Sequence, residues 1–241
     1  MNKIFLASAL SAAFVSPTAF AQAKNFEGFG IQLSTGYQNN ASKYSNVKID
    51  GSRTNTDSDL GPTGLAGFSN SSSGSAPLNI GLSMTTALSN NFTLGLLAEY
   101  NPISMNEGSS NLTLAGQNIA DTAFKSKLEN QVSISLVPGY AFTNETMGYA
   151  KIGWVTATAK MTPNDNSGDN LNTNVNGYLL GLGVKHLFTK NIYGFAEANY
   201  IGYSAGSATA ADAFPDGQVT SLGYTNTPTS YNFLVGVGYK F

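Results

Sequence analysis

Glu99, Lys151 and Glu197 are set apart from the other ionisable residues by their neighbours. Glu197 lies between Ala196 and Ala198, Lys151 lies between Ala150 and Ile152, and all three sit in stretches where apolar residues recur every second position. In an extended chain this spacing puts each charge on the face opposite its apolar neighbours. If that face is enclosed, an ionised group needs a partner, because desolvation without pairing is expensive. Two carboxylates and one ammonium can then form a Glu, Lys, Glu cluster. Such a cluster either gates a pore by re-pairing or fills the interior as a satisfied plug.

Other chemistries find little support. His186 is the sole histidine, so any mechanism with a histidine base must use it. It stands next to Lys185 beside a short turn, with no serine or carboxylate at motif spacing, and reads as an interfacial polar residue. Asp165 and Asp169 within residues 164–170, and Asp57 with Asp59, offer oxygen ligands of the kind Ca²⁺ takes. Neither run matches an EF-hand loop or a nonapeptide repeat, so both are expected to be solvated loops, with no metal site. Residues 177–183 are glycine-rich but lie within a strand pattern, which excludes a phosphate loop. The absence of cysteine removes disulfides, thiol catalysis and thiolate metal sites together. No cofactor is expected. With 12 Lys and Arg against 14 Asp and Glu there is no basic excess to neutralise phosphates, so nucleic acid is not an expected partner.

The elements that must position the three charges follow from composition and periodicity. Charged residues make up 11% of the 241, against about 25% in an ordinary soluble domain. Residues 1–21 carry Lys3, an apolar stretch from Ile4 to Val15, and Ala19-Phe20-Ala21. This is the layout of a cleaved secretory signal, with the mature chain expected to begin at Gln22 and fill residues 22–241 as one domain. No later apolar run reaches the roughly 20 residues of a membrane helix. Strict alternation appears instead. Tyr231, Phe233, Val235, Val237, Tyr239 and Phe241 share one face, opposite Gly, Asn, Leu and Lys; Phe92, Leu94, Leu96, Ala98 and Tyr100 share another, opposite Glu99. Eight strands are predicted, near 26–38, 79–88, 92–103, 131–142, 147–160, 176–187, 192–203 and 231–241. Turns at 89–91, 143–146 and 189–191 are short, while the connections 40–78, 104–130, 161–175 and 204–230 are long and rich in Ser, Asn, Gly, Thr and Asp. The Ser-rich run 69–75 reads as a flexible loop tip. An even number of antiparallel strands closes without a free edge, as hydrocarbon demands. The expected fold is therefore all-β: an eight-stranded antiparallel transmembrane up-and-down β-barrel with short periplasmic turns and long extracellular loops. Eight strands leave an interior just wide enough for side chains to fill, which favours the plug over the gate.

The signal segment, the turn-flanked stretches Val137–Trp154 and Leu182–Tyr200, and the closing Tyr231–Phe241 resemble the eight-stranded outer-membrane barrels of the outer-membrane protein A and X type. The Glu99, Lys151 and Glu197 cluster is similar to the interior ion-pair network of the protein A relatives. The resemblance implies that Tyr239 and the terminal Phe241 form the signal read by the barrel-assembly machinery. The chain ends at Phe241, so the peptidoglycan-binding domain of the protein A relatives, and with it the wall-tethering role, is not expected. Lipid A deacylases and omptin-type proteases share this barrel context but place their chemistry at the rim opposite His186.

Two aromatic girdles are expected, with Phe92, Phe142, Tyr193, Tyr239 and Phe241 at one end and Tyr37, Tyr100, Tyr200 and Tyr231 at the other. The function these features predict is non-enzymatic: a monomeric barrel in the bacterial outer membrane with a filled lumen, acting through its loops on a host or surface ligand, or in envelope integrity. Its other expected partners are outer-membrane lipid and lipopolysaccharide. A small diffusion channel and a soluble exported lipocalin-like barrel are the alternatives.

Overall fold

The computed structural model describes residues 22–50, 66–114, 117–163, 171–211 and 221–241. Asp57, Asp59, Asp165 and Asp169, and the whole of the signal segment 1–21, lie outside the described residues. Eight long strands form a ring: β1 (Gly28–Asp50), β4 (Leu78–Ala87), β5 (Phe92–Asn101), β7 (Gln117–Ala141), β8 (Thr146–Pro163), β9 (Leu171–Leu187), β10 (Ile192–Tyr203) and β12 (Ser221–Lys240). Each pairs antiparallel with the next in sequence, and β12 pairs with β1 from Gly30↔Lys240 upward to close the barrel. The remaining strands, β2 (Ala66–Phe68), β3 (Ser71–Ser75), β6 (Met105–Leu114) and β11 (Gly206–Ala211), lie in the long connections.

The sense of the alternation agrees with a membrane barrel. Phe233, Val235, Val237, Leu96, Leu182 and Phe29 all point outward and are exposed, while Ser34, Thr93, Glu99 and Asn232 on the other face are buried. On β12 the outward apolar run from Tyr231 to Tyr239 matches the roughly 9–11 residues a tilted strand needs to cross hydrocarbon. A lipocalin-like soluble barrel would present the opposite arrangement, with apolar residues inside and polar residues outside.

Above Tyr100, Trp154, Tyr178, Tyr200 and Tyr231 the polarity inverts. On β8, Ile152 and Trp154 face out, but from Val155 onward Ala157, Ala159 and Met161 face in. This inversion marks the level at which water replaces lipid outside the wall. Not all the strands stop there, and the strand ends expected near 38, 131, 176 and 231 lie further up, at 50, 117, 171 and 221. β1, β7, β8, β9 and β12 continue upward, and β3 and β6 take over as wall partners of β1 and β7 where β4 and β5 have ended, while β11 pairs with upper β12. The Ser-rich segment read as a flexible tip is strand β3, paired with β1 from Gln38↔Ser75 to Ser42↔Ser71. Serine hydroxyls and small side chains do not oppose pairing once a neighbouring backbone is available. The barrel thus has a membrane storey and an extracellular storey.

At the periplasmic end both termini meet. The Phe241 amide donates to the Phe29 carbonyl at 2.9 Å, and a short 3-10 turn, Ala23–Phe26, tucks Phe26 into the barrel mouth. Because the ring is hydrogen-bonded throughout and has no edge, purified protein should migrate differently in SDS before and after boiling. Identical migration would mean that the ring is not closed.

Candidate functional site

The geometry of the lumen is set by which strands carry bulk and which carry none. Glu99 is on β5, Lys151 on β8 and Glu197 on β10, so one strand separates each neighbouring pair around the ring. Those intervening strands present small residues at the same level: Ser133 opposite Glu99 on β7, and Gly181 and Gly183 opposite Lys151 and Glu197 on β9. Long side chains can therefore reach across to one another. The glycines are needed for this, since a side chain on Gly183 would occupy the position of the Tyr149 ring and one on Gly238 that of the Tyr193 ring.

The structure brings the three charged residues together. Lys151 Nζ donates to Glu99 Oε2 at 2.7 Å and to Glu197 Oε1 at 2.9 Å, with Lys151 only 1% exposed. Asn199 also donates to Glu197 Oε1, and the Tyr149 hydroxyl donates to Glu197 Oε2 at 2.9 Å. Gln32 donates to Glu99 Oε1 at 3.4 Å, and Tyr193 donates to Gln32 at 3.2 Å. All four carboxylate oxygens are thus satisfied, which is the condition under which buried charges are tolerated. An amide ladder continues upward from Asn199 to Asn232, from Asn232 to Gln38 and from Gln38 to Asn40.

The trio carries one excess negative charge, and a residue that sequence reasoning passed over lies on that side of the lumen. Lys185 turns inward below the cluster, its ammonium 4.3 Å from the centre of the Tyr193 ring, a cation–π distance. Its direction could have been read from β9, where Leu180, Leu182 and Val184 face lipid and so turn Lys185 to the other side. The same parity corrects one aromatic: Tyr193 does not belong to the periplasmic girdle but is buried in the lumen on the face of Glu197. Phe142 is exposed at that end as expected, Phe188 takes the place given to Tyr193, and Trp154 and Tyr178 join the extracellular girdle.

Apolar side chains bound the polar layer. Below it, Phe26, Met147, Tyr149, Leu187, Tyr193 and Phe195 form one buried cluster. Above it on the β7–β10 side, Met105, Leu128, Val155, Val175, Leu179, Ile201 and Tyr203 form another. Higher still, Tyr44, Phe68, Phe124 and Tyr224 pack together with centroids 5.4–5.9 Å apart, Tyr44 tilted on Phe68 and the other pairs edge to face. Beside the ion pairs is a void of about 10 Å³ lined by Glu99, Lys151, Asn199 and Asn232, where the Asn199 Oδ1 finds no protein partner. That is about the room one water needs.

The remaining candidates lie at the rims. His186 is exposed beside the periplasmic turn, its Nδ1 3.0 Å from the Thr146 hydroxyl and its ring against Phe188. Tyr239 and Phe241 face outward at the periplasmic end, edge to face at 5.1 Å. Among the described residues no three His, Cys, Asp or Glu side chains converge on a point where a metal could sit.

No family model matches the chain, and no curated protein matches it. Solved structures do. OprG, an outer membrane protein of Pseudomonas aeruginosa, superposes with a TM-score of 0.50 at 16% identity, over 89% of this chain and 96% of that one. Ail, the attachment invasion locus protein of Yersinia pestis, gives 0.44 at 13% identity over 89% and 99%. The outer membrane protease OmpT of Escherichia coli gives 0.48 at 10% over 89% and 97%. The likeness to OprG is one of fold. Taken with the closed ring and the apolar exterior, it defines the class: an eight-stranded β-barrel of the bacterial outer membrane.

The pairing in the lumen makes a non-additive prediction. Lys151→Met leaves two carboxylates facing each other without a cation, and breaking a buried pair in this way costs about 3–5 kcal/mol. Replacing Lys151, Glu99 and Glu197 together by Met, Gln and Gln leaves no unpaired charge among the three. The single variant should therefore unfold in lipid at lower urea than the triple variant. Equal midpoints for wild type, single and triple variants would contradict the pairing.

Proposed function

We propose that the chain is a non-enzymatic outer-membrane barrel with a filled lumen, acting through its extracellular storey in surface interaction, adhesion or envelope integrity. One observation carries this reading. Both carboxylates of the charged layer have their oxygens satisfied, and the layer lies between apolar clusters with a neighbouring void of about 10 Å³. A conducting pore needs a continuous wet path, and a set of ion pairs with every carboxylate oxygen satisfied gives water nothing to solvate. The surface, by contrast, is extensive. The upper strands present Lys43, Ser45, Lys125, Lys127 and Asn172 to solvent, a polar, hydrogen-bonding exterior suited to a host or surface ligand.

A non-enzymatic role is supported by the place of the sole histidine, whose ring nitrogen meets the Thr146 hydroxyl at the periplasmic turn and not a carboxylate. The partners of the reading are outer-leaflet lipid and lipopolysaccharide around the belt, a loop ligand above it, and the barrel-assembly machinery, which reads Tyr239 and Phe241. The barrel is read as a monomer. A small diffusion channel is the second reading, favoured by the presence of charges in the lumen at all.

Planar-bilayer recordings separate the two readings. The purified barrel and its Lys151→Met variant should both remain closed; discrete conductance steps in the wild type, or their appearance in the variant, would favour the channel. Deleting segments of the extracellular storey should abolish binding to cells while the barrel still assembles. Deleting Phe241 should lower the outer-membrane level of the protein several-fold, and an unchanged level would remove that residue from the assembly signal.

A further inference from the structure

One buried carboxyl lies outside the lumen cluster, on a strand that carries none of its charges. Glu107 is on β6 in the extracellular storey, completely buried, at a break in the ladder with β7: Asn106 pairs with Lys127 and Gly108 with Ser126, leaving Glu107 as the extra residue of a bulge. Gly108 takes φ 99°, a conformation open to glycine, and its Cα passes close to Ser71 and Ser72 of β3. The bulge thereby aims the Glu107 carboxyl inward, towards β1 and β3.

Its hydrogen bonding is incomplete. Ser42 on β1 donates to Glu107 Oε1 at 2.7 Å, while among the described residues Oε2 has no partner, and neither do the buried hydroxyls of Ser71 on β3 and Ser110 on β6. Ser71 is the direct ladder partner of Ser42, so those two side chains are neighbours. The titratable groups in electrostatic reach of Glu107 are the phenols of Tyr203 from β10 and Tyr224 from β12, and Tyr44 from β1 packs edge-on against Tyr224. The Tyr44 hydroxyl is engaged with Ser126 of β7 at 2.6 Å. The lysines of these strands, Lys43, Lys48, Lys125 and Lys127, stand on the outer face, exposed. β3 carries no ionisable residue. Among the described residues, then, no cation compensates Glu107.

We propose that Glu107 is a proton-operated latch on the extracellular storey: neutral, it holds β6 against β1 and β3 beneath the aromatic rings, and ionised, it draws water in and lets β6 come away. A neutral carboxyl has an O–H to donate, and unpartnered hydroxyl oxygens lie on the strands beside it. An ionised one has a single donor, and a charge buried with so little compensation is poorly tolerated. Burial accordingly pushes the carboxyl up from 4.5 to about 7, against the smaller downward pull of the Ser42 hydrogen bond. The closed form binds the proton more tightly than the open form. The stability the proton confers is therefore complete below about 4.5 and is lost as pH rises through about 7.

Hydrogen exchange of the full chain reconstituted in lipid tests the latch, with protection factors corrected for the intrinsic rate. From pH 5 to pH 8 the protection of β6 and of the part of β7 paired with it should fall roughly tens-of-fold, while amides of the membrane storey keep theirs. Glu107→Gln, which cannot ionise, should hold β6 protected across the range. Ser42→Ala, which removes the one donor to the carboxylate among the described residues, should move the transition to higher pH, and it decides the matter if the Gln variant does not assemble. A wild-type transition near the ordinary carboxylate value, the same pH dependence in Glu107→Gln, or no shift in Ser42→Ala would each overturn the proposal.

Discussion

A lysine turned into a barrel of eight strands must find its counter-charges within reach, because neither lipid outside nor packed side chains inside will solvate it. Lys151 meets this condition through two carboxylates at 2.7 and 2.9 Å, and much of the membrane storey is arranged around that contact. The strands between the partners carry serine and glycine so that the side chains can meet. Tyr149 and Gln32 complete the carboxylates, and aromatic rings pack beneath them over glycines of the neighbouring strands. Buried charge of this kind is weak evidence for stability, since a well-packed apolar core serves as well. It does specify register: sliding any of β5, β8 or β10 by one residue would turn a charge into lipid.

The second organising feature is the inversion of polarity along each wall. In the membrane storey the apolar side chains face out and the polar ones face in; in the extracellular storey Ala157, Ala159, Met161 and Leu128 face in while Thr158, Lys160 and Lys127 face out. One continuous strand therefore satisfies two solvents in succession. The upper storey has its own small apolar interior and its own ladders through β3, β6 and β11.

The membrane storey was legible in the sequence because its signal is strong: large apolar residues at every second position, interrupted by short polar turns. The inward direction of Glu99, Lys151 and Glu197 followed from the same parity, and so could that of Lys185 and Tyr193 have done. Nearness to a turn points Tyr193 to a girdle, but its place two and four residues from Phe195 and Glu197 puts it on the inward face. The upper storey was harder to read. Its outward residues are Ser, Thr, Asn and Lys, and its inward ones are often small, so Ser71–Ser75 has the composition of a loop although it is a strand. What makes it a strand is the backbone of β1 beside it, a tertiary fact that local composition does not encode. The Glu107 bulge is hidden for the same reason, since it exists only relative to β7.

The central feature of the membrane storey is the Lys151 ammonium, held between two carboxylates and closed off from bulk water. Nuclear magnetic resonance of the barrel with ¹⁵N-labelled lysine in lipid nanodiscs observes that group directly through the exchange of its own protons with water. The account predicts a resolved Lys151 ammonium signal at neutral pH, with protons exchanging far more slowly than those of free lysine and correlated to the carboxylates of Glu99 and Glu197. Exchange as fast as that of an exposed lysine would mean that water reaches the cluster, and the lumen would then be a path and not a plug.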